Sequence, residues 1–162
     1  MQPLSAYRTW QLQQLENNIS ILNHLIQTAD TNAMTLYRDD GTGWTVLEVL
    51  GHLHDYEAIF LHRVKLMVEE DFADLPENDP DTLAKENAYN SQDVYKVLIA
   101  WEQRRYNYLT FLRGIEDNEM WESAANHPRR GHFTVNDCLF FTVWHDTLHL
   151  QQISKILQDQ KS

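Results

Sequence analysis

Apolar residues recur at steps of three and four along four long stretches of this chain, a spacing that is typical of amphipathic α-helices. The first stretch runs from about Leu4 to Ala29, and the third begins near Ser91 and is predicted to stop at Gly114. Glycine and proline are scarce, with 5 and 4 residues in a chain of 162. The sequence therefore favours long helices over a fold of strands and turns.

The second and fourth stretches begin at sequences that are typical of helix N-termini. Thr45–Glu48 and Thr134–Asp137 each place a threonine three residues before an acid, a spacing that allows a capping box. The second helix is predicted to end near Asp71, before Pro76, and the fourth to run almost to the C-terminus. Because amphipathic helices bury their apolar stripes by packing together, we predict an all-α four-helix bundle that forms one domain over residues 1–162.

The connections over residues 72–90 and 116–133 are long for a helical bundle. Residues 81–90 are predicted to add a short turn, and residues 116–133 are the best candidate for a short β-hairpin. Connections longer than about 12–15 residues usually carry function or cross over the bundle. Simple up-down-up-down wiring is therefore not assumed.

The formal net charge of −11 narrows the classes of partner. A surface of this charge repels the phosphates of nucleic acids and of anionic lipids, so neither nucleic acid nor a membrane is expected as a partner. The chain has one cysteine, Cys138, which we assign to core packing and which fits a reducing compartment. The N-terminus lacks the pattern of a signal peptide, so we expect a cytoplasmic protein.

Two histidines on the fourth helix, His145 and His149, are four residues apart and therefore lie on one face, one turn from each other. Phe141 and Ile156 fall on the same face, which marks it as the buried side. Two imidazoles at this spacing can reach one metal ion. Buried histidines that bond only to neighbouring groups would give the same pattern, and the spacing does not separate these alternatives.

A third ligand is expected from the second helix, which carries His52 and His54. These two histidines stand about 200° apart, on opposite sides of the apolar stripe, so both cannot point into one site. Periodicity does not choose between them. Glu57 lies nearer the centre of the stripe, where a carboxylate is paired, contacts a metal site or occupies the boundary of the core.

The residues of the second helix resemble a known family. Trp44, the capping Thr45, the His52-Leu53 pair and the acids that follow are similar to the second helix of the DinB/YfiT-like metalloenzyme superfamily. On the fourth helix, Trp144, His145, His149 and Gln152 are similar to the last-helix motif of that superfamily.

This resemblance implies that His52, His145 and His149 are the metal ligands, and it selects His52 over His54. It also implies an up-down-down-up bundle, frequent homodimers and a role for Gln152 beside the ligands. Three neutral imidazoles leave positions on an ion open, as in catalytic zinc sites. Zinc fits the ligand set, and imidazole also accepts nickel, iron or manganese.

The resemblance implies two activities on a small-molecule substrate. One is thiol-dependent transfer or isomerisation with a low-molecular-weight thiol, and the other is metal-dependent hydrolysis. The zinc-protease pattern H-E-x-x-H is not matched, because Asp146 is one methylene shorter than glutamate and points about 100° away from the ligand face. Four side chains of the last long connection either bind a substrate carboxylate or form a solvated turn: His127, Arg129, Arg130 and His132.

A non-catalytic alternative is a dimeric helical interaction module that retains its histidines from a lost site. Its interface would come from the abundant aromatic residues, which could equally belong to the core: Trp10, Trp101, Tyr106, Tyr108 and Trp121.

Overall fold

The structure, a computed structural model, describes residues 4–159. Its helices and strands are, in chain order, α1 (Leu4–Thr28), α2 (Ala33–Leu36), α3 (Val46–Glu69), α4 (Pro80–Asn87), α5 (Val94–Arg113), β1 (Ala124–His127), β2 (Gly131–Thr134) and α6 (Val135–Asp159). Three 3₁₀ turns connect them, at Asp39–Gly41, Tyr89–Ser91 and Glu119–Glu122. The predicted four-helix bundle is confirmed, with α1, α3, α5 and α6 as its long helices.

Both predicted capping boxes are present, and each fixes the start of a helix that carries histidines. The Thr45 hydroxyl accepts a hydrogen bond from the Glu48 amide, and the Glu48 carboxylate accepts one from the Thr45 amide. Thr134 and Asp137 exchange the same two bonds at the start of α6. These bonds satisfy amides that the first helical turn leaves without a partner.

Contacts between the long helices give their directions. Arg8 and Asn18 of α1 bond to Asn136 and Asp146 of α6, so α1 and α6 run parallel. By the same reasoning α3 and α5 are parallel, because Arg104 bonds to His54 and Tyr108 packs on Phe60. His52 meets His145 whereas Phe60 meets Phe141, so α3 and α6 are antiparallel. The wiring is therefore up-down-down-up.

The two long connections lie against each other. The predicted hairpin is present as the antiparallel pair β1–β2, in which Ala125 faces Phe133. The 72–79 segment joins β1 through hydrogen bonds of Asn126 with Leu75 and Ala73, at 3.0 and 2.8 Å. The short turn predicted over 81–90 is longer than expected and comprises α4 and one 3₁₀ turn. Together these segments cover one side of the space between α3 and α6.

The helices share one apolar core. Three of the aromatic residues considered for a dimer face, Trp101, Tyr108 and Trp121, belong to this core, whereas Trp10 and Tyr106 are exposed. Between residues 4 and 159 no helix is long and apolar enough to cross a membrane.

Candidate metal centre

Three histidines converge between α3 and α6. Each of His52, His145 and His149 offers one ring nitrogen, and these nitrogens all lie within 4.8 Å of one another. The Nε2 atoms of His52 and His145 are 2.8 Å apart. The ring centroids of the three pairs are separated by 4.9, 4.6 and 4.5 Å. The structure thus brings together the three residues that the resemblance selected.

The local sequence explains how each ring reaches this point. His145 and His149 are one turn apart on the face of α6 that packs on α3. His52 lies in the second turn of α3, and the capping box at Thr45 fixes the start of that helix. Gly51 allows the close approach of Tyr89, whose ring would lie 2.1 Å from a Cβ atom at this position. The start of α3 is therefore held firmly against the chain that leads into α5.

The environment keeps the imidazoles neutral. His52 and His145 are each only 6% exposed. Burial, together with the neighbouring His149, lowers the pKa of His52 to about 3. Burial also lowers the pKa of His145 well below its ordinary value, and it lowers the pKa of His149. Since the unprotonated imidazole is the form that binds a metal, the three groups fit a divalent ion at neutral pH.

A hydrogen-bonded chain orients His149. Its Nδ1 lies 2.8 Å from the Gln152 side-chain oxygen, and the Gln152 amide donates to Asp39 at 2.9 Å. Lys155 completes the chain by pairing with Asp39 and Asp40. Because an amide oxygen only accepts, His149 carries its proton on Nδ1 and directs the Nε2 lone pair toward the other histidines.

His145 lacks such an acceptor. Its Nδ1 is buried, and no hydrogen-bond partner lies within the part of the chain that the structure describes. The ring is held instead by aromatic contacts, stacked on Tyr56 at 5.1 Å and edge-on to Phe60 at 5.5 Å. Two buried Nε2 atoms that face each other can share only one hydrogen, so a cation between them would satisfy both lone pairs.

His54 points away from this centre. Its Nδ1 lies 3.2 Å from the Tyr89 hydroxyl and 3.4 Å from Asp55. It therefore belongs to a polar cluster against the segment that precedes α5, and Asp55 accepts a hydrogen bond from Tyr89 in the same cluster at 2.7 Å.

Of the three alternatives for Glu57, the structure supports pairing. Its carboxylate accepts from Arg105 Nε at 2.9 Å and from Arg105 Nη2. The same guanidinium donates to Asp146 at 2.7 and 2.9 Å, and Asn18 donates to Asp146 at 2.8 Å. This buried ionic cluster contains one residue from each long helix and joins them behind the three histidines.

An open cleft of about 340 Å³ leads to the histidines. Its walls come from α3, α6 and the two long connections, with these residues among the lining: Trp44, Tyr56, Arg63, Glu77, His127, Arg129, Arg130, Phe141, Trp144 and Leu148. Larger cavities of about 570 and 610 Å³ lie elsewhere, but no histidine lines either of them. The cleft has the size of a site for a small molecule.

The structure divides the four side chains considered for carboxylate binding. His127, Arg129 and Arg130 line the cleft, whereas His132 packs near Phe72 at 5.7 Å and is not among the lining residues. Cys138 is fully buried in the core, as expected, and burial raises the pKa of its thiol to about 11. It is therefore a packing residue rather than a thiolate at neutral pH.

Sequence reasoning missed Tyr56 and Arg63. They follow His52 by 4 and 11 residues, and at about 100° per residue both lie within about 40° of it on α3. Their spacing from His52, about one and three helical turns, could have identified them. It places both on the face of α3 that meets His145 and His149.

Comparisons with known proteins agree with this fold. The family model described as DinB superfamily matches residues 14–153. A relative from Oceanobacillus iheyensis, provisionally named a metal-dependent hydrolase, is 27% identical over 135 residues, which are 83% of this chain and 76% of that protein.

Two solved structures share the architecture. YfiT from Bacillus subtilis, described as a probable metal-dependent hydrolase with an unusual four-helix bundle topology, matches with a TM-score of 0.87 at 20% identity, over 95% of this chain and 87% of that one. A mycothiol-dependent maleylpyruvate isomerase matches with a TM-score of 0.73 at 13% identity, over 90% of this chain and 60% of that one. Because the family model covers most of the sequence and the fold agrees, this chain belongs to the DinB superfamily.

Proposed function

We propose that this protein is a metal-dependent enzyme in which His52, His145 and His149 hold one divalent ion, with zinc as the first candidate. The observation that carries the proposal is the convergence of three neutral imidazoles at an open cleft. Three protein ligands leave room for a substrate on the ion, which would supply Lewis acidity to a carbonyl, a water or a thiol.

The chain's own residues define the surroundings of that ion. Gln152 fixes the ring of His149, and the aromatic rings of Trp44, Tyr56 and Phe60 surround the other two imidazoles. Trp44 and Tyr56 also line the cleft through which a small molecule would reach the ion.

Thiol-dependent transfer or isomerisation is the first candidate for the reaction. Among the described residues that line the cleft, Glu77 is the single carboxylate, and it pairs with Arg129 at 3.0 Å. A thiolate nucleophile needs no general base during attack, whereas activation of water commonly uses one. The cleft therefore suits a low-molecular-weight thiol as cosubstrate, and one structural neighbour is named as a mycothiol-dependent isomerase.

Metal-dependent hydrolysis is the second candidate. It is favoured by the names given to the Oceanobacillus relative and to YfiT. Assays of the zinc-loaded protein with a reactive ester alone, and with an electrophile plus glutathione, bacillithiol or mycothiol, separate the two reactions. Turnover that requires the thiol supports transfer, and ester cleavage without thiol supports hydrolysis.

Metal content tests the proposal directly. The purified protein, reconstituted with zinc and desalted, is expected to hold about one equivalent by elemental analysis. His52→Ala, His145→Ala and His149→Ala are each expected to lose it, with their fold checked by circular dichroism. His54→Ala is the matched control on the same helix and should keep the metal. Retention in His52→Ala with loss in His54→Ala would contradict the ligand assignment.

We also propose a homodimer in the cytoplasm. Exposed Tyr7, Trp10 and Phe140 line one surface cavity and are a candidate interface. Light scattering after size-exclusion chromatography tests this assembly, and a mass near 19 kDa, that of one chain, would contradict it.

A further inference from the structure

Arg63 on α3 is buried without an anionic partner. The residue is 5% exposed, and its Nε is fully enclosed with no hydrogen-bond acceptor among residues 4–159. Within the same residues, no carboxylate forms an ion pair with it. Burial of an unpaired guanidinium is costly, and such groups in native proteins usually have an acceptor. A ligand that enters the cleft would supply an acceptor for the other N–H groups of this guanidinium, since Arg63 lines that cleft.

Arg105 on α5 is also buried, but it is paired with two carboxylates. Arg105 is completely buried one helical turn along α5 from Trp101, and it has two carboxylates and a carbonyl as acceptors. The fold therefore provides full pairing for one buried arginine, whereas no acceptor for the Nε of the other lies among residues 4–159. Arg63 is the one that faces the cleft.

Two further hydrogen-bond donors, His127 and Arg130, line the same cleft as Arg63. The backbone amide of Arg129 donates to His127 Nδ1 at 3.1 Å, so a neutral His127 carries its hydrogen on Nε2. The Nη1 atom of Arg130 lies 3.3 Å from this Nε2. Two donors thus face each other with no acceptor between them. Burial and the nearby arginines lower the pKa of His127 to about 4, which keeps its ring neutral.

The lining of the cleft is rich in positive charge, although the chain as a whole is negatively charged. Three arginines line the cleft, and the single lining carboxylate, Glu77, already pairs with Arg129. The net charge of the protein is −11. A local cationic wall on an anionic protein attracts a negatively charged group to one place. Phe141, Trp144 and Leu148 add an apolar part to the lining, and the Arg130 guanidinium lies over the Phe141 ring at 4.2 Å from its centroid.

We propose that Arg63, Arg130 and His127 form the binding site for a carboxylate of the substrate or cosubstrate, whose apolar part lies against Phe141, Trp144 and Leu148. The planar guanidinium fork of Arg63 matches the two oxygens of a carboxylate. Arg63 follows His52 by 11 residues, about 16 Å along the helix axis, and a long side chain on a helix leans toward the N-terminus, which is the direction of His52. The bound molecule is therefore anchored at one end and presents its other end to the histidines.

This inference rests on the proposed function only in placing the carboxylate in the same cleft as the metal, so its test uses metal-free protein. Benzoate is titrated into the protein in the presence of a chelator, and the Nε–H resonance of Arg63, assigned by its absence in Arg63→Lys, is followed by NMR. Benzoate should shift this resonance and bind, and the neutral isostere benzamide should bind at least about ten-fold more weakly.

Two variants separate binding from folding. Arg63→Met should weaken benzoate binding about ten-fold or more, whereas Arg113→Met, which makes the same change of charge on the far surface, should leave it within about two-fold. Arg63→Met should also keep or raise the melting temperature, because it removes a buried charge that has no partner. Unchanged benzoate affinity in Arg63→Met would overturn the proposal, and so would a large fall in melting temperature.

Inorganic phosphate is the competing ligand. Arg63-dependent binding of phosphate that is tighter than binding of benzoate would overturn the assignment to a carboxylate. A protein that binds benzoate through Arg63 but retains no zinc would refute the metal proposal and leave this one standing.

Discussion

Arg105 lies between Glu57 and Asp146 and donates hydrogen bonds to both carboxylates in the centre of the bundle. Asp146 adjoins His145 in the chain but points about 100° away from it around α6, so it joins α6 to the other helices while His145 faces α3. The ionic cluster therefore sets the rotation of α6 on which the three-histidine arrangement depends.

Removal of the Arg105 charge should be strongly destabilising. Arg105→Met leaves two buried carboxylates without a cation, which costs about 3–5 kcal/mol in the free energy of unfolding. Urea denaturation measures this loss. Arg113→Met is the matched control, since Arg113 pairs with Glu16 on the surface with 44% and 40% of the side chains exposed, and it should cost less than about 1 kcal/mol. Equal losses in the two variants would contradict a central role for the cluster.

Mild acid should destabilise the metal-free protein. The pKa of His52 is lowered to about 3 by burial and by the neighbouring His149, whereas in the unfolded chain it returns to its ordinary value near 6.5. Between these values the unfolded state binds the proton and the folded state does not. The contribution of this group to the free energy of unfolding is therefore fully present above about pH 6.5 and is lost as the pH drops toward 3. Each histidine with a lowered pKa reduces the free energy of unfolding by about 1.4 kcal/mol per pH unit in this range.

Chemical denaturation at several pH values, with a chelator present, measures this slope. His52→Gln removes one contributing group and should flatten the profile. A profile of the parent protein that is level from pH 7 to pH 5 would contradict the prediction.

Gln152 is expected to tune the metal site without binding the ion. Gln152→Leu removes the acceptor for His149 Nδ1, so zinc affinity should fall by about 10- to 100-fold. Competition with a chromophoric chelator measures the affinity. Gln151→Leu changes the exposed neighbouring residue and should bind zinc as the parent does. If the two variants bind equally tightly, the hydrogen bond to Gln152 does not orient the ligand.

Gly51 should tolerate no larger side chain. A Cβ at this position would lie 2.1–2.4 Å from atoms of the Tyr89 ring, so Gly51→Ala must displace that ring or α3. Overpacking of this kind costs about 1–3 kcal/mol, which thermal denaturation detects as a lower melting temperature. In Gly114→Ala the nearest atom is a backbone oxygen at 3.3 Å, so a smaller effect is expected there. A Gly51→Ala protein as stable as the parent would show that Tyr89 moves freely.

The helices and their ends could be predicted from local sequence. The stripes of apolar residues defined four long helices, and the boxes at Thr45 and Thr134 located the starts of α3 and α6 to the residue. Helix periodicity also placed His145 and His149 on one buried face. These properties depend on interactions between residues within about four positions of each other, so the sequence alone was enough.

Which residues the buried face of each helix contacts depends on tertiary structure. Local periodicity left His52 and His54 equivalent, whereas the packing of α6 against α3 brings His52 beside His145, 93 positions away. The family resemblance had selected the same residue. The sequence likewise allowed three roles for Glu57, and only its contact with Arg105 of α5 identifies it as a paired carboxylate. Nothing in the local sequence around Arg63 indicated that its Nε is buried without an acceptor among residues 4–159. Such contacts join residues far apart in the chain, and the crossing connections of an up-down-down-up bundle decide which helices meet. The sequence by itself thus determined which residues face inward, and only the tertiary structure decided which of them meet.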